Sequence, residues 1–284
     1  MAKLLTCALG ICASLLSQTA VIAQDRDQPQ NVADDTIVVV GSENAESEII
    51  EAAKRVSPDL HYDRALPRYI DPLCLAVLGF EGPASAGIKQ MIDERAISVG
   101  IQVAPADCRP NALLVVVDDV PAFLRQAIDK QPRLASSAKL TKAESDYADG
   151  QAAVTLFNIE TRSKFGRKGF SDSNSRASRI SPAHSKAISS SVLTIDAHRL
   201  RGATYRQIAD YGAMVLLGHA DGGIWTMDRT PSILALFNHS IKDAPARLTP
   251  FDEVYLRALY ALPLNALPRS LPVSIKRELD TPAD

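Results

Sequence analysis

Aromatic residues are scarce in this chain, 5% of 284 positions, and neither sign of charge dominates: 31 Lys and Arg stand against 33 Asp and Glu. A balance this close to neutral argues against nucleic-acid binding by the chain as a whole. Past the first two dozen residues no apolar stretch approaches 18 positions without a charge or a proline, which excludes a multispan membrane protein. The motifs of common enzymes are missing too. There is no phosphate-cradling loop, no dinucleotide fingerprint, no G-x-S-x-G elbow and no H-E-x-x-H helix. Ser136-Ser137-Ala138-Lys139 has the S-x-x-K form, but the K-T-G companion is absent and Ser171-Asp172-Ser173 lacks the Asn that acylating penicillin-binding enzymes place third. The histidines (His61, His184, His198, His219 and His239) include no pair at i, i+3 or i, i+4, the spacing that gives zinc two ligands from one helix face. No metal or cofactor motif is therefore present.

What is present begins with an address. Lys3 is followed by an uncharged, mostly apolar run from Leu4 to Leu16, and Val21-Ile22-Ala23 ends it with a small residue. This is the anatomy of a secretory signal over residues 1–23, cut after Ala23. The run is shorter than the roughly 20 residues that span a bilayer. The expectation is a protein exported to the periplasm or the medium, with no transmembrane segment in the mature chain. Residues 24–35 are polar and aperiodic and read as a flexible start.

Two of the four cysteines, Cys7 and Cys12, lie in that leader, so the mature chain keeps Cys74 and Cys108. In an oxidising compartment the expectation is a disulfide between them. A two-cysteine redox or metal site is the alternative, without the C-x-x-C spacing that would favour it.

Hydrophobic periodicity gives the elements. Thr36–Val40 reads as a strand and 43–56 as a helix. Residues 57–71, with three prolines or X-Pro steps, read as a loop. Leu73–Leu78, then a helical spacing over 83–99, then Leu113–Val117 make a β-α-β unit with parallel strands. Its strand starts lie side by side, which brings Cys74 near Cys108. Asp118 or Asp119 can cap a helix containing Phe123, Leu124 and Ile128. Residues 131–150 read as loop with a short helix, 152–159 and 192–195 as strands. Thr204-x-x-Gln207 has the capping-box form and starts a helix to Leu217; Thr249-Pro250 opens another. The predicted fold is α/β or α+β, one domain over 36–262 with a helical C-terminal part, followed by a proline-rich tail at 263–284 that frays.

Residues 160–190 are rich in Ser and Gly and read as a basic loop. Between Thr161 and Ile180 stand Arg162, Lys164, Arg167, Lys168, Arg176 and Arg179 against the single acid Asp172. Such a stretch suits an anionic surface, or is simply a solvated loop. Only Phe165 and Phe170 interleave it, too few for base stacking along a nucleic acid.

The segment 204–262, with TYRQIADYGAMVLLG, Thr230-Pro231-Ser232-Ile233-Leu234 and Leu248-Thr249-Pro250-Phe251-Asp252-Glu253-Val254-Tyr255, resembles a set of uncharacterised exported proteins of Gram-negative bacteria. It is more remotely similar to a secreted zincin-like family. That resemblance implies that the two metal-binding histidines fall at Arg206 and Asp210 and the glutamate base at Gln207. A guanidinium repels zinc and an amide takes no proton from water, so the scaffold would lack zincin chemistry. Arg206 and Asp210 are then either an i, i+4 ion pair or a repurposed ligand site. The functional expectation is a non-catalytic envelope protein that binds a partner protein or an anionic surface. The alternatives are a secreted hydrolase with a non-standard site, metal-dependent or not, and a purely structural role.

Overall fold

The computed structural model describes residues 43–56, 62–130, 136–168, 182–220, 230–238 and 240–281. The leader, the polar start, the strand expected at Thr36–Val40, and Arg176 and Arg179 lie outside them. The helices are α1 (Glu43–Val56), α2 (Ala84–Ser98), α3 (Val120–Lys130), α4 (Ser137–Ala148), α5 (Tyr205–Gly218), α6 (Pro250–Ala261) and α7 (Leu271–Asp280). The strands are β1 (Pro67–Arg68), β2 (Leu75–Leu78), β3 (Ala112–Val117), β4 (Ala153–Ser163) and β5 (His184–Asp196). The protein is α/β, with a mixed sheet and a helical C-terminal part.

The β-α-β unit is as expected. β2 and β3 run parallel, Leu75 opposite Ala112 and Leu78 opposite Val115. The two strand starts are tied twice. Cys74 and Cys108 form a disulfide with Cα atoms 6.1 Å apart. Asn111 accepts from the Cys74 N–H at 2.8 Å through its side-chain oxygen and donates to the Pro72 carbonyl at 3.0 Å. At the other end of β2 the chain turns at Gly79 with φ 91°; a Cβ there would lie 2.1 Å from the Val116 carbonyl oxygen. Only glycine satisfies both the backbone angle and the contact.

β5 is much longer than the strand expected at 192–195. Its second half pairs parallel with β3, its first half holds the short β1, and β4 runs antiparallel along almost all of it. The alternation that marks a strand is broken by a bulge: Asn158 faces Ser190 but Ile159 faces Ile188, leaving Ser189 as the extra residue. The odd spacing between Ile188 and Leu193 is thereby reconciled, and both join one core. The serines that made this segment read as loop find partners in the sheet. Ser185 donates to the Ser163 carbonyl at 2.8 Å, and Ser189 to that of Asn158 at 3.1 Å. The Ser191 hydroxyl lies 2.6 Å from the Tyr69 hydroxyl.

The larger core fills one face of the sheet, where Leu75, Val77, Leu114, Leu193 and Ile195 meet α2 and α5. From Gln207 to Gly218 every residue of α5 is buried. The helix comes close because Gly212 faces Leu114, where a Cβ would lie 2.6 Å from a methyl group. On the other face α3 and α4 bring Val120, Leu124 and Ala143 onto Val154 and Leu156. Asp119 caps α3, accepting from the Ala122 N–H at 2.9 Å.

Beyond Pro263 the structure departs from the expected frayed tail. A 3-10 turn at Pro268–Ser270 leads into α7, which buries Leu271, Ser274 and Ile275. Ser274 donates to the Ala258 carbonyl of α6 at 2.9 Å. Pro268 and Pro272 sit in first-turn positions of these helices, where the missing N–H costs nothing.

Candidate functional site

The three residues of α5 singled out by the resemblance stand at its first turns, and all are committed to holding the fold together. Gln207 completes the capping box: its side-chain oxygen accepts from the Thr204 N–H at 3.0 Å, while its own N–H donates to the Thr204 hydroxyl at 3.1 Å. The amide also donates to the Pro245 carbonyl at 3.1 Å. Asp210 is completely buried and accepts from Arg206 Nε at 2.8 Å, Arg95 Nε at 3.2 Å and the Leu248 N–H at 2.9 Å. It joins α5, α2 and the approach to α6. Arg95 reaches on to Glu253 at 3.5 Å. The pair of Arg206 and Asp210 is therefore no exposed i, i+4 contact, because its acid carries three donors in the core. Among the described residues no three His, Cys, Asp or Glu side chains gather in a way that could hold a metal ion.

The basic stretch divides. Arg162 is 2% exposed, and its guanidinium grips Asp71 with two bonds of 2.8 and 2.6 Å, Glu160 lying at 3.4 Å. Those bonds hold the Asp71 carboxyl below its usual range and raise Arg162 above its own. Arg162 thus belongs to the sheet and is withdrawn from any external anion, a correction to its place among the candidate binding residues. Lys164, Arg167 and Lys168 instead surround a tight turn beyond the end of β4. Ser163 closes it: the Gly166 N–H donates to its carbonyl at 2.8 Å and the Arg167 N–H to its hydroxyl at 3.1 Å. Gly166 takes a φ of 83° and packs on Ile70 and Leu264. Phe165 at the tip is 64% exposed, with Lys164 Nζ 4.9 Å from its ring centre. Arg167 and Lys168 are exposed, Lys168 lying 3.6 Å from Asp71.

A third feature was not legible as a site. On the α3 face of the sheet, beside the bulge, lies a groove of about 720 Å³. Leu113, Val192, Phe123 and Ala127 give it an apolar floor, and Arg109, Lys130 and Lys168 stand around it against the single acid Glu160. These residues come from β3 and the loop before it, α3, β4, β5 and the turn, so no spacing in the sequence announces them.

Comparison of the chain with protein-family models, curated proteins and solved structures finds no match in any of the three. Among the described residues no helix is long and apolar enough to cross a membrane.

Proposed function

We propose that this is an exported, non-catalytic binding protein of the cell envelope that docks on an anionic surface through the turn at 163–168. The observation that carries the reading is the Phe165 tip: an exposed ring on a turn closed by its own hydrogen bonds, flanked by Lys164, Arg167 and Lys168. A ring at the level of lipid headgroups with cations beside it is how a small surface adds apolar burial to charge attraction. Export is supported by the signal-like leader and by a disulfide, which persists in oxidising compartments. On the zincin-like resemblance, α5 would be a degenerate catalytic helix. The engagement of Arg206, Gln207 and Asp210 in packing supports a scaffold role for it.

Cosedimentation with phosphatidylglycerol and phosphatidylcholine vesicles tests the docking. Binding to the acidic vesicles alone is expected, weakening by about tenfold or more between about 0.05 and 0.5 M salt as the screening length shrinks. Lys164→Gln with Arg167→Gln should abolish it, and Phe165→Ala should weaken it at every salt concentration. Salt-independent binding, or none at low salt, overturns the docking. An equivalent of zinc retained through dialysis, or chelator-sensitive peptide cleavage, overturns the non-catalytic reading in favour of a hydrolase.

A further inference from the structure

The groove beside the bulge has features that the docking turn does not explain. Its volume lies in the range of pockets that enclose small ligands. Its floor is aliphatic with one half-buried aromatic, Phe123. Its rim holds polar groups left unused by the fold. Arg109 and Lys130 make no ion pair among the described residues, whereas Arg95, Arg125, Arg206 and Arg257 are all paired with acids. The Asn158 carboxamide and the Ser190 hydroxyl lack side-chain partners among those residues too, although their neighbour Ser189 is bonded. Glu160, the one acid of the lining, is already approached by Arg162.

We propose that the groove binds one molecule of a single-chain anionic amphiphile. Arg109 and Lys130 hold its phosphate or carboxylate head. Asn158 and Ser190 complete the hydrogen bonding there, and the chain lies along Leu113, Phe123 and Val192. A small hydrophilic anion would leave that floor wet. An uncharged amphiphile would leave the two cations without a counter-charge. The site shares only Lys168 with the docking turn, so either stands if the other fails.

Calorimetric titration of the full chain below the micellar concentration is the test. The probes are dodecanoyl lysophosphatidate, dodecanoate, monododecanoylglycerol and inorganic phosphate. One-to-one binding of at least one of the two anionic amphiphiles is expected, and which binds tells a phosphate head from a carboxylate head. The neutral glyceride should bind about tenfold or more weaker, as losing a charge-assisted contact implies, and inorganic phosphate should not saturate. Arg109→Gln with Lys130→Gln, both exposed positions, should lower affinity for the anionic probe about tenfold without changing the melting temperature. Ala127→Trp, which fills the floor, should abolish binding of that probe. Lys164→Gln with Arg167→Gln should leave it intact while removing vesicle binding. No saturable binding of either anionic amphiphile, equal affinity for the glyceride, or unchanged binding by the groove variants overturns the proposal.

Discussion

Among the described residues Arg68 and Arg162 are the two largest side chains withdrawn from water, and each charge is accommodated differently. Arg162 has a carboxylate, Asp71. Arg68 has none among those residues; it donates to the carbonyls of Leu259 at 2.5 Å, Leu262 at 2.8 Å and Pro263. Leu259 is one of the orphan acceptors in the last turn of α6, Leu262 caps the helix and Pro263 follows it, so the guanidinium sits where the helix dipole is negative. Burial still lowers the guanidinium to about 10. Asp252 is the acidic counterpart. Desolvation pushes it up to about 6 despite donors from Ser232, Ile233 and Thr249. The folded state therefore binds its proton more tightly than the unfolded chain does, and the stability this gives is complete below the unfolded value and lost as pH rises through about 6. Denaturant unfolding should show the native protein gaining about 1 kcal/mol from pH 7 to pH 5 relative to Asp252→Asn, which has no proton to gain. Parallel profiles for the two proteins would refute this. Asp71 acts in another window: its lowered carboxyl loses stability only as pH falls below the ordinary carboxylate range.

The capping boxes of α5 and α6 join elements besides starting helices. The Thr249 hydroxyl donates to the Pro231 carbonyl at 2.8 Å, and Asp252 receives the Ile233 N–H at 2.9 Å, so the start of α6 also anchors the 3-10 turn at Ile233–Phe237. Thr249→Ala should cost about 1–2 kcal/mol in chemical denaturation, the upper range for a lost cap, since a buried carbonyl is orphaned as well. A cost within error of zero would show that water replaces the hydroxyl. The α5 cap was legible, because the Thr204-x-x-Gln207 pattern reports a local bond; at α6 Thr249-Pro250 marked the start of the helix, but the box closed by Asp252 came only with the structure. The β2-α2-β3 unit was legible because its strands are continuous apolar runs. The first half of β5 was not. Its serines are satisfied by β4 and Tyr69, partners far away in the chain, and the bulge hides the strand period. α7 was hidden for a similar reason: its prolines suggested a break, and only docking on α6 shows them in permitted first-turn positions.

For the whole molecule the disulfide is the long-range constraint that the sequence announced. It closes a separation of 34 residues, worth about 4 kcal/mol on the chain-entropy model. Mass analysis after alkylation without reductant should find no free thiol at Cys74 or Cys108. Reduction should then lower the melting temperature by roughly 8–16 °C, at about 2–4 °C per 1 kcal/mol for a domain of this size; an unchanged melt would mean that Asn111 alone secures the strand starts.

The amino-acid sequence by itself narrowed the class to α/β or α+β and determined the β-α-β unit, the cysteine pair and the starts of α5 and α6, because each depends on contacts close along the chain or on strict periodicity. Tertiary structure alone decided that Arg162 is buried, that Asp210 is a core acceptor, and that Arg109, Lys130 and Ser190 share one groove. Burial and the pairing of charges depend on which distant segments meet, and in β5 a single extra residue changes which side chains face the core.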